Sequence, residues 1–241
     1  MLLMEVERLT KSFGGVVANK EIDLRVDEGE IVGLIGPNGS GKTTFFNLVS
    51  GDLKPDQGRV LFRGEDITGL PSYRVNEKGI ARTYQMLRPF SSMTVRENVM
   101  VGALPRMSVD EAMAAAGHFI QVVGLAHRTH TLASALSTGQ RKRLELARAM
   151  ATKPKLLLLD EVTGGVDHRS IPALVALVKA LHREGVTLLI IEHSMKVIMQ
   201  LAHRIVAFHL GEKICDGPPE RVATDPRVIE LYLGKAYAKD R

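Results

Sequence analysis

The chain holds one cysteine, Cys215, in 241 residues. A lone thiol excludes an internal disulfide and fits a reducing compartment; on its own it reads as a small buried hydrophobe. Long apolar runs are also missing. The longest, "LLLL" at 156–159 and "VTLLII" at 186–191, fall far below the roughly 18 residues of a membrane-spanning helix, so the chain is not expected to cross a bilayer unaided. The opening "MLLMEVERLT" has neither a basic start nor a long apolar stretch, and no signal peptide is expected. Low-complexity segments, long linkers, internal repeats and sustained heptads are absent. No sign of charge dominates. The 32 bases and 27 acids are intermixed and leave a net charge of +5. That surplus is compatible with an anionic ligand or a membrane surface, but it is not the basic stripe of a nucleic-acid binder.

What is present is an ordinary globular balance, 45% hydrophobic and 24% charged, with length enough for a sizeable core. "EVERL" and "IDLRV" alternate as strands around the turn "FGG". "EIVGLI" reads as a buried strand that enters "GPNGSGKTT" and then a helix to about Ser50. "KPDQG" is a turn and "RVLFRG" another strand. "TVRE", from Thr94, has the spacing of a capping box, and from there to about 152 the pattern is helical, with no good strand candidate between 90 and 153. After Pro154 strands and helices alternate again: "KLLLLD", a helix near 170–184, "VTLLII", a helix near 195–202, and the hairpin "RIVAFHLGEKICDG". The expected fold class is α/β, a parallel core with an N-terminal antiparallel part and an all-helical insert.

"GPNGSGKT", Gly36 to Thr43, fits G-x-x-x-x-G-K-[ST] between a buried strand and a helix. Glycines let backbone N–H groups wrap an anion, the helix start adds its dipole, Lys42 reaches the β/γ-phosphates, and the Thr43 hydroxyl can ligate Mg²⁺. Such a loop needs a carboxylate at the end of a neighbouring strand. "LLLLDE" supplies Asp160 for the metal and Glu161 to polarise an attacking water. "TLLIIEH" ends in His193, placed for a γ-phosphate contact at a strand's C-terminal end. His127 and His130 have a possible metal spacing but no acidic or cysteine partner nearby, and read as a solvated loop. In "LSTGQRKRLELARAM", Ser137 and Gln140 have capping-box spacing. Gly139 sits in the first turn, and Arg141, Lys142 and Arg143 follow at the end that already carries the positive helix dipole.

Together these residues resemble the ATP-binding subunits of ABC transporters. "GPNGSGKTT", Gly36, Pro37, Asn38, Gly39, Ser40, Gly41, Lys42, Thr43 and Thr44, is similar to the family's Walker A, "LLLLDE" to Walker B, and "LSTGQ" to the signature. Gln85 in "RTYQ" resembles the Q-loop, Asp167 in "GGVD" the D-loop, His193 the switch histidine, and Phe13 in "KSFGG" the aromatic that stacks on adenine. The resemblance implies ATP and Mg²⁺ as cofactors, with Thr43, Gln85 and Asp160 toward the metal and Glu161, His193 and Gln85 in catalysis. It also implies two cassettes head to tail, so that Ser137, Gly139 and Gln140 meet the phosphate held by the other subunit, and Gly139 lets the backbone approach it. Two positions depart from the family pattern. Thr138 replaces the first glycine of the usual LSGGQ, and Val162 stands where proline usually follows the glutamate.

The implied organisation is a single cassette over 1–241, with a core of 1–85 and 153–241 and a helical subdomain of 86–152 that carries the signature. The implied partners are integral-membrane permease subunits, a second ATPase subunit (a copy or a paralogue) and a substrate-binding protein, with no nucleic acid. The implied location is peripheral, on the cytoplasmic face of the inner membrane. "GIARTYQ", "RPFSSMTVRENVMVG", "IEHSMKVIM" and the tail "RVIELYLGKAY" resemble branched-chain amino-acid uptake ATPases; lipopolysaccharide-export ATPases are the alternative. DNA-repair ATPases with the same head carry long coiled coils, and translation-factor ATPases carry two cassettes; this chain has neither.

Overall fold

The computed structural model describes residues 1–85, 88–167 and 169–233. They form two compact units, Met1–Lys78 with the described residues from Thr187 onward, and Gly79–Val186. Of the quoted tail, residues 234–237 lie outside the described residues, as does residue 86 at the start of the expected helical segment.

The first unit begins with β1 (Leu2–Phe13) and β2 (Val16–Asp27), an antiparallel hairpin longer than the alternation alone indicated. β3 (Ile31–Ile35) is buried throughout and leads to α1 (Lys42–Val49). β4 (Gln57–Phe62), β5 (Glu65–Asp66) and α2 (Ser72–Lys78) follow. β2, β1, β4 and β5 make an antiparallel sheet in that order.

The second unit contains β6 (Ile80–Arg82), α3 (Val95–Ala103), α4 (Val109–Val122), α5 (Thr138–Ala151), β7 (Leu156–Asp160) and α6 (Ile171–Arg183). β6 and β7 pair in parallel, Ile80 opposite Leu156. That pairing explains why the unit is wider than the helical segment expected over 86–152. Three-residue β6 has too little pattern to be legible without its partner. Helices α3, α4 and α5 start at Thr94, Ser108 and Ser137, each with both arms of a capping box made. α3 packs on α5 closely. A Cβ at Gly102 would lie 2.3 Å from the Arg148 carbonyl oxygen, so only glycine permits that approach.

The chain returns to the first unit with β8 (Thr187–Ile191), α7 (Met195–Leu201), β9 (Arg204–His209), β10 (Glu212–Gly217), α8 (Pro219–Thr224) and α9 (Pro226–Leu233). β3 lies parallel between β8 and β9, and β9 and β10 form the expected hairpin. β3 and β8 are buried at every residue, on both faces, which suits their apolar composition.

Fully buried Asn98 organises the entry to α3. Its amide donates to the carbonyls of Phe90 (3.0 Å), Met93 (3.2 Å) and Thr94 (2.9 Å), and accepts from the Phe90 N–H (2.9 Å). Asn98→Ala strands the Phe90 N–H, while the three carbonyls keep the backbone donors Met93, Ala133 and Asn98 N–H, and a loss of about 1–3 kcal/mol is expected in urea unfolding. A loss below about 0.5 kcal/mol would show that water replaces the amide without cost.

Candidate active site

The first unit builds a loop for phosphate. β3 delivers the chain to Gly36, and the loop turns into α1 at Gly41. A Cβ at Gly36 would lie 2.3 Å from the Phe208 carbonyl oxygen; one at Gly41, where φ is 100°, would lie 2.2 Å from that of Ala18. Neither position tolerates a side chain. The Asn19 amide, fully buried on β2, donates to the Gly41 oxygen at 3.2 Å, and the Gly211 N–H donates to the Ser40 oxygen at 3.1 Å. The loop is thus pinned from β2 and from the β9–β10 turn. Lys42 folds back across it, its ammonium donating to Gly36 O (2.8 Å), Pro37 O (3.0 Å) and Ser40 Oγ (3.4 Å). α1 starts with no side-chain cap and no acidic residue in its first turn, which suits an anion at its positive end. Thr43 is exposed and Thr44 half-buried. Phe13 is about half exposed, with the Lys11 ammonium 5.6 Å from its ring centre. His193 is exposed just beyond β8, after buried Glu192.

The second unit builds the carboxylates. β7 ends in buried Asp160, which pairs with Arg82 at 3.1 Å; both side chains are almost wholly buried. Removing either partner would leave a buried charge. The Asp160 N–H also donates to Thr83 Oγ1 at 3.2 Å. Glu161 has left-handed backbone, φ 52°. The Gln85 amide donates to Glu161 Oε2 at 3.1 Å, so the structure brings these two expected site residues together. A Cβ at Gly164 would sit 3.2 Å from the same oxygen. Asp167 accepts from the N–H groups of Arg169 (3.0 Å) and Ser170 (3.1 Å) and from the Ser170 hydroxyl (2.7 Å). These bonds, that of the hydroxyl foremost, hold its carboxyl below the ordinary value.

The Ser137 N–H donates to Gln140 Oε1 at 3.0 Å, and the Gln140 N–H returns to Ser137 Oγ at 3.4 Å. The three bases that follow do not crowd the helix start as the sequence alone led one to expect. Arg141 donates to Ser134 O (2.8 Å), Lys142 to Glu161 O (2.6 Å) and Val162 O (3.0 Å), and Arg143 to Val123 O (2.8 Å). Their long stems reach carbonyls at turn and helix ends, including the C-terminal end of α4, where a cation is favoured. Gly139 is left bare: a Cβ there would meet nothing within 4 Å.

Sequence reasoning missed Asn19, Arg82, Thr83, Lys142 and Glu145. Each is a polar residue whose partner is distant in sequence, so nothing along the chain marks the pairing; Lys142 carried only the signal of its burial-prone place in α5, between two arginines. Glu145 accepts the Tyr84 N–H at 2.9 Å, next to Gln85.

A glycine loop between a buried strand and a helix, with a lysine turned back across it, defines a phosphate-loop nucleotide-binding protein. A family profile described as ABC transporter matches residues 19–164, more than half of the chain, and the chain belongs to that family as an ATP-binding ATPase subunit. A second profile, described as branched-chain amino acid ATP-binding cassette transporter, matches residues 212–238. The chain is 38% identical to the high-affinity branched-chain amino acid transport ATP-binding protein BraF of Pseudomonas aeruginosa, over 97% of this chain and 98% of that one. It is 37% identical to LivG of Escherichia coli, with the same coverage, and 35% identical to the lipopolysaccharide export ATP-binding protein LptB of Haemophilus influenzae, over 98% and 99%. Among solved structures it resembles the ATP-binding cassette MJ1267, with TM-score 0.88 and 32% identity over 96% of this chain and 99% of that one. It also resembles the dimeric cassette MJ0796 bound to ADP and Pi, with TM-score 0.80 and 26% identity over 90% and 99%.

Burial holds the Glu145 carboxyl above its ordinary value, against the opposing bond from the Tyr84 N–H. The folded chain therefore binds this proton more tightly than the unfolded chain. Its contribution to stability is lost as pH rises from the ordinary glutamate range through the folded value. Glu145→Gln keeps an acceptor for the Tyr84 N–H and removes the titration. Urea midpoints taken between about pH 4 and 8 should fall less with pH in the variant than in the wild type. Identical slopes would show that the Glu145 carboxyl is not perturbed.

Proposed function

We propose that this chain hydrolyses ATP, with Mg²⁺, to power uptake of branched-chain or other hydrophobic amino acids through a separate membrane permease. The observation that carries the cargo assignment is the second profile match over 212–238, which agrees with the names of BraF and LivG. The similarity to LptB keeps lipopolysaccharide export as the alternative. In this reading 1–85 and 153–241 are the core and 86–152 the helical subdomain, and the chain works in pairs beside a permease, supplied by a substrate-binding protein. No helix among the described residues is long and apolar enough to cross a membrane, which suits a peripheral place on the cytoplasmic face of the inner membrane.

The loop Gly36–Thr44 cradles the phosphates with Lys42 across them, and Phe13 stacks on adenine. The Thr43 hydroxyl, the Asp160 carboxylate and the Gln85 amide oxygen are hard oxygen donors with one negative charge. On the family resemblance these residues would hold Mg²⁺, which would supply neutralisation of phosphate charge. Glu161 takes the proton of the attacking water, Gln85 orients its carboxylate, and His193 donates to the γ-phosphate. Ser137, Gly139 and Gln140 meet the nucleotide of the second cassette, and Asp167 contributes to the nucleotide site.

Glu161→Gln keeps shape and a hydrogen bond but cannot take a proton. Turnover should fall about 100-fold or more while ATP still binds and an ATP-loaded dimer accumulates in size exclusion. Cells with only this variant should lose uptake of labelled leucine, and lipopolysaccharide export should be unchanged. Normal uptake with impaired export would assign the chain to the alternative.

Gly139→Ala separates the chain's own needs from those of a partner. Its Cβ enters open space at a helical position, so stability should hold or rise by up to about 1 kcal/mol. ATPase activity should nonetheless fall, because the methyl group obstructs the approaching phosphate. Undiminished turnover would remove Gly139 from the site.

A further inference from the structure

Lys142 lies in the second turn of α5 and is only 8% exposed. Its ammonium donates to the backbone oxygens of Glu161 and Val162, at 2.6 and 3.0 Å. Glu161 is in left-handed backbone, φ 52°, which a residue with a side chain keeps only where its surroundings hold it there. The Gly164 N–H donates to the same Glu161 oxygen at 3.1 Å, and Gln85 holds the carboxylate itself. Val162 cannot stiffen the turn alone, since valine leaves φ free where proline would lock it. Ordering a lysine stem and desolvating its charge both cost free energy, so the contact has to return something.

We propose that Lys142 is a positioning residue for hydrolysis: its grip on the Glu161 and Val162 carbonyls sets the turn that aims the Glu161 carboxylate. This rests on Glu161 being the general base. Glu145 follows three residues later on the same face of α5 and accepts the Tyr84 N–H beside Gln85. One helix face therefore braces both partners of the Gln85–Glu161 bond.

The test compares Lys142→Met, which keeps the apolar stem and loses the donors, with Lys142→Gln, which keeps one donor. ATP turnover of the full chain is measured at a concentration where the wild type hydrolyses. Lys142→Met should lower kcat about 10- to 100-fold, as expected for a misaimed group. KM for ATP should stay within about two-fold, because binding is untouched. Lys142→Gln should fall between Lys142→Met and wild type. On the Glu161→Gln background Lys142→Met should remove nothing further, since it acts through that carboxylate. Wild-type kcat in Lys142→Met, an equal loss in kcat and ATP affinity, or a multiplied loss on the Glu161→Gln background would each overturn the proposal. Should Lys142→Met not fold, the same criteria apply to Lys142→Gln. If Glu161→Gln turns over like wild type, the general-base reading fails and this proposal with it. If Glu161→Gln is dead and Lys142→Met is normal, only the role of Lys142 fails.

Discussion

An anion can be wrapped by backbone N–H groups only where side chains stand aside, and that constraint runs through this chain. At Gly36 and Gly41 the surrounding carbonyls of Phe208 and Ala18 leave no room for a Cβ. The glycines there serve the packing of the loop against its own unit as much as any ligand. Gly139 is different: among the described residues, a Cβ there would meet nothing within 4 Å. A bare position facing open space is not explained by packing within its own unit, and the proposed approach of a second cassette's nucleotide would supply the reason.

The second constraint is the handling of buried charge. Asp160 and Arg82 neutralise each other almost out of reach of water, which holds β6 to the end of β7 and fixes one carboxylate. Lys142 and Glu145 are held by backbone groups on either flank of the Gln85–Glu161 bond. Buried polar groups that are each given partners specify one arrangement, because a shifted alternative would strand them. The left-handed backbone at Glu161, the proposed general base, belongs to the same pattern: local strain held by the bonds around it.

The helical segment of the second unit is built by local rules. Thr94, Ser108 and Ser137 each close a capping box, and buried alanines at 103, 112, 116 and 147 with Gly102 let the helices approach closely. Caps set where each helix begins, and small residues set how near the helices lie. The presentation of Ser137–Gln140 then follows from packing beneath it.

The sequence by itself determined the features that are local or periodic. The phosphate loop between β3 and α1, the strand ending in Asp160 and Glu161, the capping boxes at Thr94 and Ser137 and the β9–β10 hairpin were all legible, because spacing along the chain governs them. Only the tertiary structure decided the rest. The strand β6, the pairing of Asp160 with Arg82, the pinning of the loop by Asn19 and Gly211, and the turning of Lys142 and Arg143 onto carbonyls all join residues far apart in sequence. A hydrogen-bond donor chooses its acceptor by position in space. A lysine after a signature motif therefore reads as surface charge until folding brings the Glu161 carbonyl to within 2.6 Å of it.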